Sequence, residues 1–371
     1  MSRFKKIVKR SLLAITGLLF LLFAFGYWFM SLIPKPDARH ELSQTEVQAL
    51  PYLSDHKMEN RGRVLAVVTS TRRMGPGGKA TGYELTELSR AYYVFQANGF
   101  EVDVASPKGG QPPVVIDDED MGKYDFAFLN DTIAQQKVKN TLALSDVDAS
   151  LYSAIYFVGG KGAMYDFPNN THIQSIVSSF HQSGKVIGAV CHGPAALVNV
   201  KLGDGCPLVA NRSVCSFTNE EELLLISDAR HVFPFLLEDK LIENGASFKE
   251  GNVYLENVVH DQNLVTGQNP WSTWKVAETM INQMGYQPKM RTPTSEENAI
   301  QILAIYQQQG YQSAKKRISE MAMNRIAMSR ILLAKHGIVA GMQWNLTKSF
   351  KLVGLLKHAK NQYEEAVFPK E

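Results

Sequence analysis

Cys191 stands in the sequence where a thiol could act as a nucleophile. The apolar run Val186–Val190 has the composition of a buried strand. Cys191 and His192 follow it, and Gly193 and Pro194 then open a helical stretch, because proline is tolerated in the first turn of a helix. Such a turn would lift the thiol out of the backbone, and the positive end of the helix dipole would lower its pKa. The pattern predicts a nucleophile elbow in which His192 assists Cys191, with a buried structural cysteine as the alternative.

The segments around this elbow predict the elements that position it. Strand patterns occur at 64–69, 100–105, 152–158, 186–190, 253–260 and 263–266. Helical spacing occurs at 82–97, 170–181, 233–244 and 271–284. This alternation indicates a doubly wound, flavodoxin-like α/β fold with a mostly parallel sheet. The active site of such a sheet lies at the carboxyl ends of its strands, where Cys191, Gly159 and Gly160 stand.

Composition limits the function classes that need to be considered. The 371 residues are 45% hydrophobic and 20% charged, which suits a globular domain with additional segments. The net charge of +3 is too small to indicate nucleic acid as a partner. Three cysteines at uneven spacing give neither a disulfide framework nor a zinc pattern. Cys206 and Cys215 would pair in an oxidising compartment, and two separately buried thiols are the alternative.

The N-terminus predicts a membrane anchor. Residues 11–33 contain no charged side chain, and an apolar segment of this length spans a bilayer as one helix. A basic cluster at positions 3–10 precedes the segment, and Tyr27 and Trp28 suit the membrane interface. This arrangement predicts a cytoplasmic N-terminus and an extracytoplasmic, periplasmic location for the remaining chain. A signal peptide cut near Ala24 and Gly26 is the alternative, although the apolar run continues beyond that point.

The chain thus divides into four parts. These are a basic flank and anchor (1–33), a polar linker (34–60), an α/β domain (61–288) and a basic helical appendage (289–371). The appendage has thirteen Lys and Arg against six Asp and Glu, and it predicts helices at 295–309, 311–336 and 346–363. We interpret it as a packing or oligomerisation module, with contact to an anionic membrane surface as the alternative.

Several further segments, in order along 64–284, make the domain resemble a known family. They include Gly99-Phe100-Glu101-Val102-Asp103, Phe157-Val158-Gly159-Gly160, Asp166-Phe167-Pro168, Phe217-Thr218-Asn219-Glu220-Glu221 and Thr266-Gly267-Gln268-Asn269-Pro270. They are similar to the ThiJ/PfpI branch of the class I glutamine amidotransferase-like superfamily. Within that branch the domain looks closest to the clade of cofactor-independent glyoxalase III, or D-lactate dehydratase, enzymes.

The resemblance implies a catalytic set centred on the elbow. Cys191 matches the nucleophile, and His192 matches the adjacent histidine of the triad. Glu220 matches the acidic third member, and Glu221 and Glu222 compete with it for this role. Without the resemblance, an acid at this helix start would be expected only to stabilise the helix dipole.

The resemblance also implies residues that shape the pocket. Glu87 matches a buried glutamate that approaches the thiol, where a raised pKa would let it give or take a proton. The backbone amides of Gly160 and His192 match the oxyanion hole, and Gly159, Gly160 and Lys161 line the substrate pocket. The position of Lys161 is usually histidine in glyoxalase-type members, so lysine here favours an anionic substrate or a changed activity.

The expected activity is the conversion of a small reactive aldehyde such as methylglyoxal to a hydroxy acid. The resemblance implies that this reaction needs no metal, glutathione or nucleotide, and that the protein forms a homodimer. Two alternatives come from the same fold. One is a stress-related holdase chaperone or oxidant sensor in which the cysteine is oxidised, and the other is a hydrolase or peptidase of the ThiJ/PfpI type.

Overall fold

The computed structural model describes residues 2–34, 37–55, 58–75, 77–117 and 120–367. The chain forms two compact units. One unit is Glu41–Thr292, and the other combines Met1–His40 with Pro293–Glu371.

The first unit is organised around a seven-stranded sheet. The strands of the described chain are β1 (Gly62–Val67), β2 (Tyr83–Glu84), β3 (Phe100–Ser106), β4 (Val114–Val115), β5 (Leu142–Ala143), β6 (Ala154–Phe157), β7 (Val186–Val190), β8 (Ser213–Val214), β9 (Ser247–Phe248), β10 (Val258–Asp261) and β11 (Leu264–Gly267). The main sheet has the order β10-β11-β7-β6-β1-β3-β5, and only β10 runs antiparallel to its neighbour. The predicted doubly wound, mostly parallel α/β fold is confirmed.

Helices cover both faces of this sheet and make up most of the second unit in the described chain. They are α1 (Ser2–Met30), α2 (Asp37–Ser43), α3 (Pro51–Ser54), α4 (Leu85–Ala97), α5 (Lys123–Asn130), α6 (Thr132–Lys139), α7 (Ala163–Asp166), α8 (Thr171–Gln182), α9 (Asn219–Leu225), α10 (Ala229–Val232), α11 (Leu237–Glu243), α12 (Thr273–Gln283), α13 (Ser295–Gln309), α14 (Tyr311–Met323), α15 (Arg330–Met342) and α16 (Leu346–Val367).

The central strands are buried on both faces, which explains why their sequences are continuous apolar runs rather than alternating ones. Successive residues of β1 point to opposite faces of the sheet. Val64 and Ala66 belong to the core that includes α4, whereas Leu65 and Val67 belong to the core that includes α8. The two cores hold the central strands rigidly, so the loops at their carboxyl ends have a fixed support.

The segment predicted as a linker, 34–60, is partly built into the α/β unit. Leu50 is fully buried and Tyr52 nearly so, and both pack in the core that includes α4. The side-chain amide of Asn98 donates to the Tyr52 hydroxyl over 3.1 Å. Apolar packing and a hydrogen bond therefore fix Leu50 and Tyr52 in the α/β unit, although the polar composition of the segment predicted a linker.

The N-terminal helix α1 contains the predicted membrane segment. Its stretch Val8–Met30 has a mean hydropathy of 2.1 over the most apolar window, and none of that window is buried. By length and composition alone, this helix could span a membrane, and a signal sequence would have the same properties.

The C-terminal helices differ from prediction at one break. The helix predicted at 311–336 is divided into α14 and α15. Arg325 adopts a left-handed φ of 56°, and the N–H of Ile326 donates to the carbonyl of Met321 over 2.9 Å. This is the Schellman pattern that ends helices, with arginine where glycine is usual.

Candidate active site

Cys191 occupies a strained turn directly after β7. Its φ of 58° lies in the left-handed region, which costs a non-glycine residue roughly 1–3 kcal/mol. Two backbone hydrogen bonds hold this conformation: the Cys191 N–H donates to Gly267 over 2.8 Å, and its carbonyl accepts from Phe217 over 2.9 Å. The helical stretch that follows is a single 3-10 turn, Gly193–Ala196, rather than a full helix. The elbow is therefore held by neighbouring strands and loops.

His192 connects the thiol to a carboxylate. Its Nδ1 lies 3.2 Å from the Cys191 Sγ, and its Nε2 lies 2.6 Å from Oε2 of Glu222. All three residues are at most 5% exposed. The rings of Phe217 and Phe233 lie against the imidazole, with centroid separations of 4.8 and 6.2 Å. Packing and hydrogen bonding together fix the ring between its two partners.

The acidic partner of His192 is Glu222, so the assignment of this role to Glu220 is wrong. Glu220 is exposed to solvent. Glu221 is buried, but its carboxylate binds backbone N–H groups and not His192. It completes a capping box with Thr218 and accepts from the Tyr254 N–H. Glu220 and Glu222 are two positions apart, which is about 200° around a helix, so only one of them can face the histidine.

The sequence contained a partial signal for this arrangement. Thr218 followed by Glu221 matches a capping box, which assigns Glu221 to the helix start. That leaves Glu220 and Glu222 as candidates, and no apolar periodicity in the short helix α9 tells which of them faces the domain. Burial raises the pKa of Glu222, but the charge and hydrogen bond of His192, with the ammonium of Lys161, hold that pKa below its ordinary value overall.

Glu87 approaches the elbow from α4 and is fully buried. Its Oε2 accepts from the Gly159 N–H over 2.7 Å, and the hydroxyl of Tyr156 donates to its backbone carbonyl. Burial, and then the nearby Glu84 carboxylate, raise the pKa of Glu87 well above its ordinary value. The raised pKa favours the protonated carboxyl group, which can act as an acid.

The predicted lowering of the thiol pKa is wrong. Burial, and then the Glu87 carboxyl, raise the pKa of Cys191 well above its usual range, and Lys161 opposes them only in part. The full helix whose dipole was expected to lower the pKa is absent, since one 3-10 turn follows the cysteine. The raised pKa favours the neutral thiol, whose proton His192 is placed to accept.

The glycine pair after β6 packs directly against this site. A Cβ on Gly159 would lie 2.5 Å from Oε2 of Glu87 and 2.8 Å from the His192 nitrogen, so only glycine fits. Its N–H is already bonded to Glu87, which removes it from any oxyanion hole. Within the described chain, no backbone acceptor is found for the N–H groups of Gly160 and His192. These two amides stay candidates for binding a substrate oxygen.

Lys161 places a positive charge near the thiol. The side chain is partly exposed, and its ammonium acts to lower the pKa values of Cys191, Glu222 and Glu84. Sequence reasoning missed Glu84, whose N–H donates to the Gly159 carbonyl. Burial, followed by the Asp117 and Asp120 carboxylates, raises the pKa of Glu84 to about 8. The surroundings of the thiol therefore combine the Lys161 ammonium with two carboxyl groups, Glu84 and Glu87, whose pKa values are raised.

Other candidate ligands lie apart from this cluster. Cys206 is exposed and Cys215 is buried, and neither is in a disulfide in the structure. The Cys215 thiol donates to the backbone carbonyl of Thr266 over 3.2 Å, which suits a structural role. Among the described residues, no group of three His, Cys, Asp or Glu side chains is arranged to hold a metal ion.

Fold and site define a doubly wound α/β protein with a cysteine at a nucleophile elbow. The model of the DJ-1/PfpI family matches residues 79–222. Glyoxalase 3 of Candida albicans is 30% identical over 236 residues, which cover 59% of this chain and 96% of that protein. The chain therefore belongs to the DJ-1/PfpI family.

Two other similar proteins agree with this assignment. The glutathione-independent glyoxalase hsp3102 of Schizosaccharomyces pombe is 29% identical over 56% of this chain and 91% of its own length. The crystal structure of Rapid Encystment Protein 24 KDa of Francisella tularensis is 37% identical and has a TM-score of 0.57. It covers 61% of this chain and 99% of its own. These relatives match the α/β fold almost over their full lengths and leave a large part of this chain unmatched.

Proposed function

We propose that this protein is a glutathione-independent glyoxalase that converts methylglyoxal, or a similar 2-oxoaldehyde, to a 2-hydroxy acid. Two relatives with this type of name support the proposal. The observation that carries it is the buried chain from the Cys191 thiol through His192 to Glu222, with separations of 3.2 and 2.6 Å. A nucleophile, its base and an orienting acid are what covalent catalysis on a carbonyl requires.

The first step is formation of a hemithioacetal. Because Glu222 is ionised, the Nε2–H of His192 donates to it, which leaves Nδ1 to accept the thiol proton. The sulfur then bonds to the aldehyde carbon, and the aldehyde oxygen takes up the proton from His192. The N–H groups of Gly160 and His192 would stabilise the negative charge that develops on this oxygen.

The second step moves hydrogen between the two substrate carbons. His192, neutral again, removes the proton from the carbon that carries sulfur and delivers it to the neighbouring ketone oxygen, which gives an enediol. Glu87 supplies a proton to the neighbouring carbon and takes up the hydroxyl proton of the carbon that carries sulfur, so it ends the step neutral, a role that suits a buried carboxyl with a raised pKa. The product is a thioester of a 2-hydroxy acid, and water releases the acid, D-lactate for methylglyoxal, with return of the thiol.

We further propose that the apolar helix α1 anchors the enzyme to a membrane, with the α/β unit on the extracytoplasmic side. The support is the uncharged segment 11–33 behind a basic N-terminus. Mass spectrometry of the protein from membranes tests this proposal. An intact N-terminal peptide is expected, and a new terminus near Ala24 or Gly26 would show instead that the helix is a removed signal sequence.

The test of the activity is D-lactate formation from methylglyoxal without glutathione. The full chain is needed, because a fragment starting at Asn60 would lack the buried Leu50 and Tyr52. We expect turnover that is abolished in Cys191→Ala. Full activity in Cys191→Ala would refute the assignment of Cys191 as the nucleophile.

The variant Lys161→His tests whether an inactive parent has an intact catalytic chain but a different substrate. Activity in this variant but not in the parent would mean that the catalytic chain is intact and that the lysine selects another substrate. No activity in the parent, Lys161→His or Cys191→Ala proteins would contradict the glyoxalase proposal.

A further inference from the structure

Helices α15 and α16 pack against each other as a hairpin. The connection is only Gln343, Trp344 and Asn345, and Trp344 adopts a left-handed φ of 58°. The Ser349 hydroxyl donates to the Gly337 carbonyl over 2.8 Å, which joins the two helices near the turn. Buried side chains lie along both helices, namely Leu332, Leu333, Ala334, Ala340, Leu352, Leu355, Leu356 and Ala359. These side chains are buried between the two helices and against α13 and α14, which contact α15 and α16 respectively.

A second set of apolar side chains at the turn end is exposed. We name this set the apolar tip: Ile338, Met342, Trp344, Leu346 and Phe350, which are 52%, 60%, 87%, 54% and 68% exposed. The pairs 338/342 and 346/350 each have the four-residue spacing that places side chains on one face of a helix. Clusters of large exposed apolar side chains on a folded unit mark an interaction surface.

The charge around the apolar tip is of one sign. Residues 321–363 contain seven Lys and Arg and no Asp or Glu. Lys351 directly follows Phe350 and is exposed, and Lys357 stands seven residues after Phe350 on the same stripe of α16. Phe350 and Lys357 are two helical turns, or about 10 Å, apart along the axis of α16. Both lysines therefore stand on the side of Phe350 away from the turn, where their long side chains can extend toward headgroups.

We propose that the apolar tip inserts into the headgroup region of a bilayer that contains anionic lipid. Tryptophan at the turn suits the membrane interface, where an amphipathic ring is most stable. The surrounding lysines supply the attraction to anionic headgroups. This surface is independent of the catalytic chain and gives the helical unit a contact with lipid in addition to helix α1.

The test uses the full chain and the emission of Trp344. A Trp28→Phe background removes the tryptophan of α1, and the remaining Trp271 and Trp274 are buried in the α/β unit. The protein is reconstituted in phosphatidylcholine vesicles with or without phosphatidylglycerol, each containing brominated lipid as a quencher. We expect quenching in the anionic vesicles that is lost when Trp344→Phe is added.

Charge-reversal variants test the electrostatic part. Each lysine near an anionic surface contributes roughly a fivefold preference for the bound state, so Lys351→Glu with Lys357→Glu should reduce the quenched fraction strongly. The matched control, Lys139→Glu with Lys249→Glu, changes exposed lysines of the α/β unit and should leave quenching unchanged.

Three outcomes would overturn the proposal. One is equal quenching in anionic vesicles of the protein with Trp344 and of the Trp344→Phe variant. Another is equal quenching with and without phosphatidylglycerol, or in the charge-reversed protein. The third is a blue shift of Trp344 that follows protein concentration rather than lipid, which would assign the apolar tip to contact with a second copy of the chain.

Discussion

The substitution Glu222→Gln tests which carboxylate supports the catalytic histidine. Oε2 of Glu222 lies 2.6 Å from Nε2 of His192, and both side chains are buried. A hydrogen bond to a charged group contributes roughly 1.5–3 kcal/mol, which corresponds to a loss of about 10- to 150-fold in kcat/KM. Glutamine can also donate its amide N–H to Nε2, which would move the proton to Nδ1 and prevent that atom from accepting the thiol proton.

The tautomer effect makes the expected loss larger than the hydrogen bond alone. In a serine protease triad, replacing the orienting acid by its amide costs about 10⁴ in kcat for this reason. We therefore expect Glu222→Gln to lower kcat/KM by a factor between about 10² and 10⁴. The neighbouring Glu220→Gln, at an exposed position of the same helix, is the matched control and should change kcat/KM less than about twofold.

The assay is the initial rate of D-lactate formation over a range of methylglyoxal concentrations. Circular dichroism of each variant shows whether the fold is retained. The reasoning is refuted if Glu220→Gln loses more activity than Glu222→Gln, or if both keep the parent rate. A folded Glu222→Gln protein whose kcat is unchanged and whose KM alone rises would also contradict it, because the carboxylate would then bind substrate rather than orient the base.

Three further predictions concern the environment of the thiol. Burial raises the pKa of Glu87 in the native state, so the contribution of this group to stability falls as pH rises above its ordinary pKa, where the unfolded chain loses the proton. Glu87→Gln removes this loss, and the difference in Tm, variant minus parent, should grow as pH rises above that value in thermal unfolding. Lys161→Met should raise the pKa of Cys191, which would shift the pH profile of iodoacetamide labelling upward when measured in a Cys206→Ser background, and an unshifted profile would place the ammonium too far away to matter. Gly159→Ala should abolish turnover because its Cβ would lie 2.5 Å from Oε2 of Glu87, and a crystal structure with Glu87 unmoved would contradict this explanation.

The positions of the strands were predictable because buried parallel strands leave continuous apolar runs. Val186–Val190 was predicted with the bounds that it has, and helix α13 begins as predicted because Thr294 and Glu297 form a capping box. The end of α14 was not predictable, since Arg325 takes the left-handed position that glycine usually marks. Breaks that depend on tertiary support have no local sequence signal.

At the site, residue types could be predicted but not the direction in which each side chain points. Cys191, His192 and Glu87 come together as expected from the elbow and from the resemblance. The choice between Glu220 and Glu222 depends on the rotation of a seven-residue helix about its axis, which the capping box alone leaves open. The thiol pKa also depends on burial and on a neighbouring carboxyl, and neither is visible in the residues that flank the cysteine.

The state of the thiol favours catalysis over oxidant sensing. Cysteines that sense oxidants are accessible and have a low pKa, because the thiolate is the species that peroxides attack. Cys191 is 4% exposed, and burial raises the pKa of its thiol. In the proposed mechanism, a neutral thiol resists oxidation while the site is empty, and it becomes nucleophilic only when His192 takes its proton. The same burial that is unfavourable for a sensor therefore suits the proposed nucleophile, which has to stay reduced between encounters with its proposed aldehyde substrate.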